Sequence, residues 1–268
     1  MAMMPNAPLC YVIGVVRFPK VPRMERFVEP FLDAVRGEYP LPDQIETQSF
    51  DATVGPEGMQ VRQSKGHLWQ FASPDKRFAF LLGEELFGLH TNSYLDHLDF
   101  VKRFGFGLKN LIQVPEIKIG WVQAIGVRYV DLVVPREGEL LSQYLRPEIL
   151  PFEAPLSTGT ELRLRESIGV SAYETTMGEM RVQTLWNPPT TLPPELETPL
   201  IERNGWRPRH PGRSFLLLDL DHGSRFAQLQ PLDVASVCEQ LTALRAVTKE
   251  LFLSMATDFA RRVWENEA

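Results

Sequence analysis

Cysteine is scarce in this chain: Cys10 and Cys238 are the only two among 268 residues. Two cysteines build neither a disulfide framework nor a zinc cluster. Cys10 stands at the mouth of an apolar run and Cys238 on an apolar helical stripe. Neither has a basic neighbour in sequence to activate its thiol, so both read as small core residues. Long apolar runs are missing too. No window approaches about 18 apolar residues, and Met1 to Pro8 lacks a charged segment followed by an apolar one, so a cytoplasmic protein with no membrane contact is expected. An excess of basic charge is also lacking, since 28 Lys and Arg face 34 Asp and Glu for a net charge of -6. The phosphate backbone of a nucleic acid is therefore a disfavoured partner.

Catalytic signatures are absent as well. There is no GxSxG elbow, kinase motif or HExxH. Gly105-Phe106-Gly107 falls on a helical pattern and lacks the lysine and preceding strand of a phosphate loop. The five histidines are dispersed. His90 and His97, near Asp96 and Asp99 at a strand-to-helix turn, come nearest to a metal constellation, but exposed helix-start residues explain them as well. No metal and no cofactor is assigned.

What is present is a strong central strand. Ile119 to Val134 is dense in β-branched and aromatic residues, preceded by Pro115 and followed by a Pro135-Arg136-Glu137-Gly138 turn. Alternation puts Ile125, Val127, Tyr129 and Asp131 on one face and Gly126, Arg128, Val130 and Leu132 on the other. Each face thus carries one charge among apolar residues, and each charge needs a partner.

Around it the order is strand, helix, meander, helix, strand. Leu9 to Phe18 reads as a strand, and Arg23 to Arg36 as an amphipathic helix in which Pro30 marks either a kink or the first turn. Period-2 segments at Ile45–Val54, Met59–Gln63, His67–Ala72, Arg77–Leu82 and Leu86–His90 are separated by short turns, one of them at Ser64-Lys65-Gly66, and predict an antiparallel meander. A helix over Ser93 to Leu111 takes Ser93 as its N-cap. A connection from Gly138 to Pro155, with a short helical piece near Leu140 to Tyr144, divides the chain into an N-terminal α+β half, 1–137, and a C-terminal one, 138–268. The second half has strands at Glu161–Ala172, Met180–Trp186 and Ser214–Leu220, and a proline-rich loop over 187–212. It closes with an apolar stripe over 233–265 that Asp233 can cap. That stripe predicts one helix of about eight turns, roughly 45 Å long, lying across a sheet or reaching another chain. The fold class is α+β, a mostly antiparallel sheet, in two halves that are candidates for relatedness, covered by helices.

Several pieces in order carry a resemblance: Val16-Arg17-Phe18, Trp69-Gln70-Phe71, Tyr94 with Leu98 and Phe100, Ile125-Gly126-Val127-Arg128-Tyr129, Leu218-Asp219-Leu220-Asp221 and the closing Phe252 to Trp264. They resemble a sporadically distributed bacterial protein family of about this length with no assigned activity. The resemblance spans nearly the whole chain and implies a bacterial origin and patchy occurrence, which suits a mobile or defence-linked locus. It supplies no catalytic residues. Val127 and Val130-Asp131 stand where that family more often has leucine and isoleucine-asparagine, so its pattern gives Asp131 no role.

Candidate sites follow from the charges. Asp219 and Asp221 share one face of their strand, with Cα atoms about 6.5 to 7 Å apart. They either hold a cation or split acid and base roles, or they pair with Arg128, Arg163 or Arg165, the bland explanation and the favoured one. Trp206, Arg207, Arg209 and Arg213 interleave basic and aromatic groups on the proline-rich loop and could grip a phosphate or an acidic partner. No catalytic constellation rises above a structural explanation. The expected function is therefore non-catalytic binding, with a protein partner or self-association. The alternative is an enzyme or small-molecule sensor whose sheet–helix pocket uses Arg128 as an anion anchor.

Overall fold

The computed structural model describes residues 4, 6–55, 58–152, 164–189, 201 and 214–265. Strand β1 (Leu9–Arg17) leads into helix α1 (Glu25–Val35), and four strands follow: β2 (Leu41–Gly55), β3 (Gly58–Ala72), β4 (Phe78–Gly83) and β5 (Leu86–Thr91). Helix α2 (His97–Ile112), strand β6 (Trp121–Val133) and the short α3 (Leu141–Tyr144) come next. Then come β7 (Ser167–Thr175), β8 (Gly178–Trp186) and β9 (Leu216–Pro231), and helices α4 (Val234–Met255) and α5 (Asp258–Glu265) end the described chain. The nine strands form one antiparallel sheet in the order β2-β3-β4-β5-β1-β6-β9-β8-β7. The fold is α+β, as the periodicity predicts.

Strand β6 is central, between β1 and β9. Its pairing with β9 joins strands from either side of position 138. The helices cover one face. Val12 and Val16 of β1 and Ile125 and Val127 of β6 share a core with Phe31 of α1, Phe100 and Phe104 of α2, and Val237, Leu241 and Leu244 of α4. Packing is tight where α2 crosses the meander: a Cβ on Gly107 would lie 2.4 Å from the Phe80 ring. The opposite face carries a smaller cluster, with Tyr11, Val130, Leu185 and Leu217 packed around Ile201.

Several local expectations need correction. Ser64-Lys65-Gly66 is not a turn; β3 runs through it because β2 offers unbroken partners, Thr47 to Gly66, Gln48 to Lys65 and Ser49 to Ser64. Helix α2 is capped by Asp96 and not Ser93, since the Asp96 carboxylate accepts the Asp99 N–H at 2.9 Å. Pro30 lies inside α1, on its exposed side, beyond the first turn. Strand β9 continues past Leu220 to Pro231 because β6 supplies a partner as far as Trp121. The single closing helix is two. Asp233 caps α4, accepting the Ser236 N–H at 2.7 Å, but the chain turns extended at Ala256, where it bridges Leu145 and the Thr257 N–H donates to the Tyr144 carbonyl. Among the described residues no helix is long and apolar enough to cross a membrane.

Candidate functional site

The two charges of β6 meet different fates. On the face away from the helices, the Arg128 Nε donates to Asp219 Oδ1 at 2.7 Å and a terminal nitrogen donates to Oδ2 at 2.6 Å. The register places Val130 opposite Asp219 across the ladder, so guanidinium and carboxylate reach one another along a diagonal. The side chains are 16 and 4% exposed, so this is a mostly buried, two-pronged ion pair. Asp221 stands opposite Arg128 in β9 and opposite Arg181 in β8, and it is exposed. Arg17, Arg128, Arg181 and Arg225, with Glu174, Glu179 and Asp221, line a hollow of about 670 Å³ on that face. Arg165 is exposed ahead of β7 and does not line the hollow. Arg163, Trp206, Arg207, Arg209 and Arg213 lie outside the described residues.

Arg128 is therefore not in the sheet–helix pocket that the alternative reading assigned it to. Alternation sends its side chain to the far side of the strand, and Asp219 occupies its fork.

A pocket of about 450 Å³ does exist between sheet and helices, built from other residues. Its floor is Tyr129 and Asp131 of β6 with Leu220 of β9. One wall is Arg245, Thr248, Lys249, Phe252 and Leu253 of α4, and the other is the 94–97 segment that leads into α2. Leu9 and Ala7 close the end near β1. The α4 residues at 245, 248, 249 and 252 share one side because three- and four-residue spacings superpose on a helix. The Asp96 cap holds Tyr94 and His97 against them.

Asp131 is the unusual member. It is 4% exposed, and among the described residues nothing hydrogen-bonds or ion-pairs with it. Burial, helped by the Asp219 charge across the sheet, pushes its carboxyl up to about 8, so it is predominantly protonated at neutral pH. The Tyr129 hydroxyl beside it is also buried. It couples electrostatically to the Tyr94 hydroxyl without completing a hydrogen bond. The two rings meet edge to face with centroids 5.8 Å apart.

The other end of the pocket is basic. Arg245 and Lys249 are half-buried one turn apart, and among the described residues no carboxylate closes an ion pair on either. Burial and the Arg245 charge push the Lys249 ammonium down. The same two causes hold His97 down at about 4, hence neutral. Its tautomer follows from its neighbours. The Thr242 hydroxyl donates to the Cys238 carbonyl at 2.8 Å, so it accepts from His97 Nε2 at 2.9 Å. Nδ1 is left to accept from the Tyr94 hydroxyl at 3.4 Å.

His90 lies elsewhere, fully buried with its Nδ1 3.0 Å from the Tyr11 hydroxyl, so the two histidines do not join the nearby aspartates in one site. Among the described residues no group of three or more His, Cys, Asp or Glu is placed to hold a metal ion. Both thiols are pushed up by burial, and each donates to a backbone carbonyl, Cys10 to Val130 and Cys238 to Val101. No family model matches the chain, and no curated protein matches it in sequence.

Sequence reasoning placed Asp131 on the same strand face as Tyr129 but not its lack of a partner, because partners come from remote segments. Arg245 and Lys249 carried a readable signal, two cations four residues apart beside a buried stripe. Their distance from Asp131 in the chain hid the connection.

Proposed function

We propose that this chain is a binding protein for a small molecule, held between the central strands and α4. The observation that carries the reading is Asp131, a buried carboxyl group without a partner at the floor of a pocket. Leaving such a group unsatisfied costs about 1–3 kcal/mol, and a cost of that kind persists at sites where a ligand completes the bonding. The pocket has the size and the mostly apolar wall with a few convergent polar groups that small-molecule sites share. The reading is of a non-catalytic binder: the thiols are raised, His97 is held neutral by burial and the Arg245 charge, and Arg128 is committed to Asp219. The family resemblance adds a bacterial, patchily distributed setting, in which such a protein would sense a metabolite.

The test is a thermal-shift screen of small anions, amines and zwitterions against the wild type and Asp131→Asn. A compound that raises the melting temperature of the wild type by more than about 2 °C, and that of the variant by much less, supports the pocket. A library without effect, or shifts equal in the two proteins, removes it.

A second reading, self-association, is favoured by β7. This last strand of the sheet exposes Ile168, Val170 and Tyr173, and from Ser167 to Tyr173 it has neither the charges nor the proline that usually blunt an edge. Sedimentation of the wild type and Val170→Lys at micromolar concentration decides it. A dimer abolished by the lysine supports pairing through β7, and a monomeric wild type rejects it.

A further inference from the structure

Resting on that pocket reading, we propose that the ligand is a small zwitterion, with its ammonium group bound by Asp131 and its carboxylate or phosphate bound by Arg245 and Lys249.

The argument is that the two ends of the pocket need opposite things. Asp131 is buried, and among the described residues no hydrogen bond or cation reaches its carboxyl group. Arg245 and Lys249 are two like charges one turn apart on α4; the Asp96 carboxylate on the facing wall caps α2 through the Asp99 N–H, and among the described residues no acid forms an ion pair with either cation. Asp131 lies on β6 and Arg245 and Lys249 on α4, and among the described residues no ion pair joins them. Between them Leu220 and Phe252 offer apolar wall for an aliphatic or aromatic spacer.

A simple anion would satisfy the basic end and leave the carboxyl group orphaned. A simple amine would do the reverse and would enter a pocket that already holds two cations. Only a molecule with both groups meets both needs, and a buried polar group left unmet is what makes polar sites discriminate strongly. The volume of about 450 Å³ accommodates an amino acid or an aminoalkyl phosphate.

The binding step has a proton balance. Asp131 enters as the neutral acid at neutral pH, and an ammonium arriving beside it favours the carboxylate. The O–H bond of Asp131 breaks, its proton leaves to solvent, and the carboxylate accepts hydrogen bonds from the ammonium. About one proton is released per ligand bound.

The experiment is calorimetry at neutral pH, repeated in two buffers of different ionisation enthalpy. The probes are 4-aminobutyrate, 6-aminohexanoate and phosphoethanolamine, with hexanoate, hexylamine and inorganic phosphate as single-ended controls. At least one two-ended probe should bind about tenfold or more tighter than either matching control, with about one proton released. Asp131→Asn should abolish the advantage over the plain acid and the proton release together. Arg245→Met, which leaves Asp131 intact, should abolish the advantage over the plain amine. Equal binding of a probe and its single-ended control overturns the zwitterion proposal, as does two-ended binding without proton release. If no two-ended probe binds below about 10 mM the proposal also falls. The pocket reading is decided separately, by whether any member of the wider screen raises the melting temperature in an Asp131-dependent way.

Discussion

Arg128 and Asp131 lie three residues apart on one strand and point to opposite faces of one sheet, yet among the described residues only Arg128 is matched. Asp219 receives the guanidinium through two short bonds on the far face. On the helix face no described residue pairs with the Asp131 carboxyl group. The contrast separates two uses of a buried charge. A matched pair is internally complete and ties β6 to β9, whereas an unmatched acid weakens the fold at neutral pH and is retained most simply for what it binds. Arg128 thus joins two strands on one face, while Asp131 faces the pocket on the other.

The largest expected effect tests the matched side. Arg128→Met leaves the Asp219 carboxylate, 4% exposed, without its partner. Breaking a buried pair from one side costs about 3–5 kcal/mol. Urea denaturation should show a loss of that order, and Arg128→Met combined with Asp219→Leu should recover much of it, because no charge is then stranded. A single variant within about 1 kcal/mol of the wild type would mean that the pair is not structural.

Removing Asp131 should act in the opposite direction. Its folded-state value is raised to about 8, above the ordinary value near 4. The stability it contributes is thus present below pH 4 and is lost as pH rises towards 8, because the unfolded chain releases the proton first. His90 and His97 are lowered to about 3 and about 4 by burial, with Arg245 adding to the effect on His97. Their contribution is present above about pH 6.5 and is lost as pH falls. Between about pH 6.5 and 8 the unfolded histidines, His222 included, still lose protons and add stability while Asp131 removes it, so the carboxyl is isolated by comparing the wild type with Asp131→Asn at each pH. The stability of the wild type relative to Asp131→Asn should fall by roughly 1.5 to 2 kcal/mol across that window, with the variant ending the more stable. A pH-independent difference between the two proteins would mean that Asp131 is already ionised and satisfied.

How much of this was legible follows from where partners sit in the chain. The alternation of β6, the stripes of α1, α2 and α4, and the Asp233 cap are local patterns, and each reports its own element. Ser64-Lys65-Gly66 misled because a local turn signal yields to a continuous partner strand, and β9 outruns its expected end at Leu220 because β6 keeps pairing with it. The stripe over 233–265 concealed a break, since Ala256 leaves the helix to bridge Leu145, more than a hundred residues earlier. The pocket was least legible of all. It needs Tyr94, Asp131 and Arg245 together, and no local spacing announces a meeting of three distant segments.

The smallest expected effect concerns how the pocket wall is held. The Asp96 carboxylate accepts the Asp99 N–H, and losing such a cap costs about 1 kcal/mol. Asp96→Ala should therefore lower stability only modestly, and that loss alone says nothing about function. Its position gives the variant its value. Asp96 lies between Tyr94 and His97, which face Arg245 across the pocket, so fraying the first turn of α2 loosens the basic end and leaves the Arg128–Asp219 pair on the far face untouched. Its effect on any pocket ligand should exceed its effect on the fold, and adding Arg128→Met should lower stability by the simple sum of the two losses, as distant sites do. Coupling between Asp96 and Arg128 well beyond about 0.5 kcal/mol would show that the two faces act as one unit and would dissolve the division drawn between them.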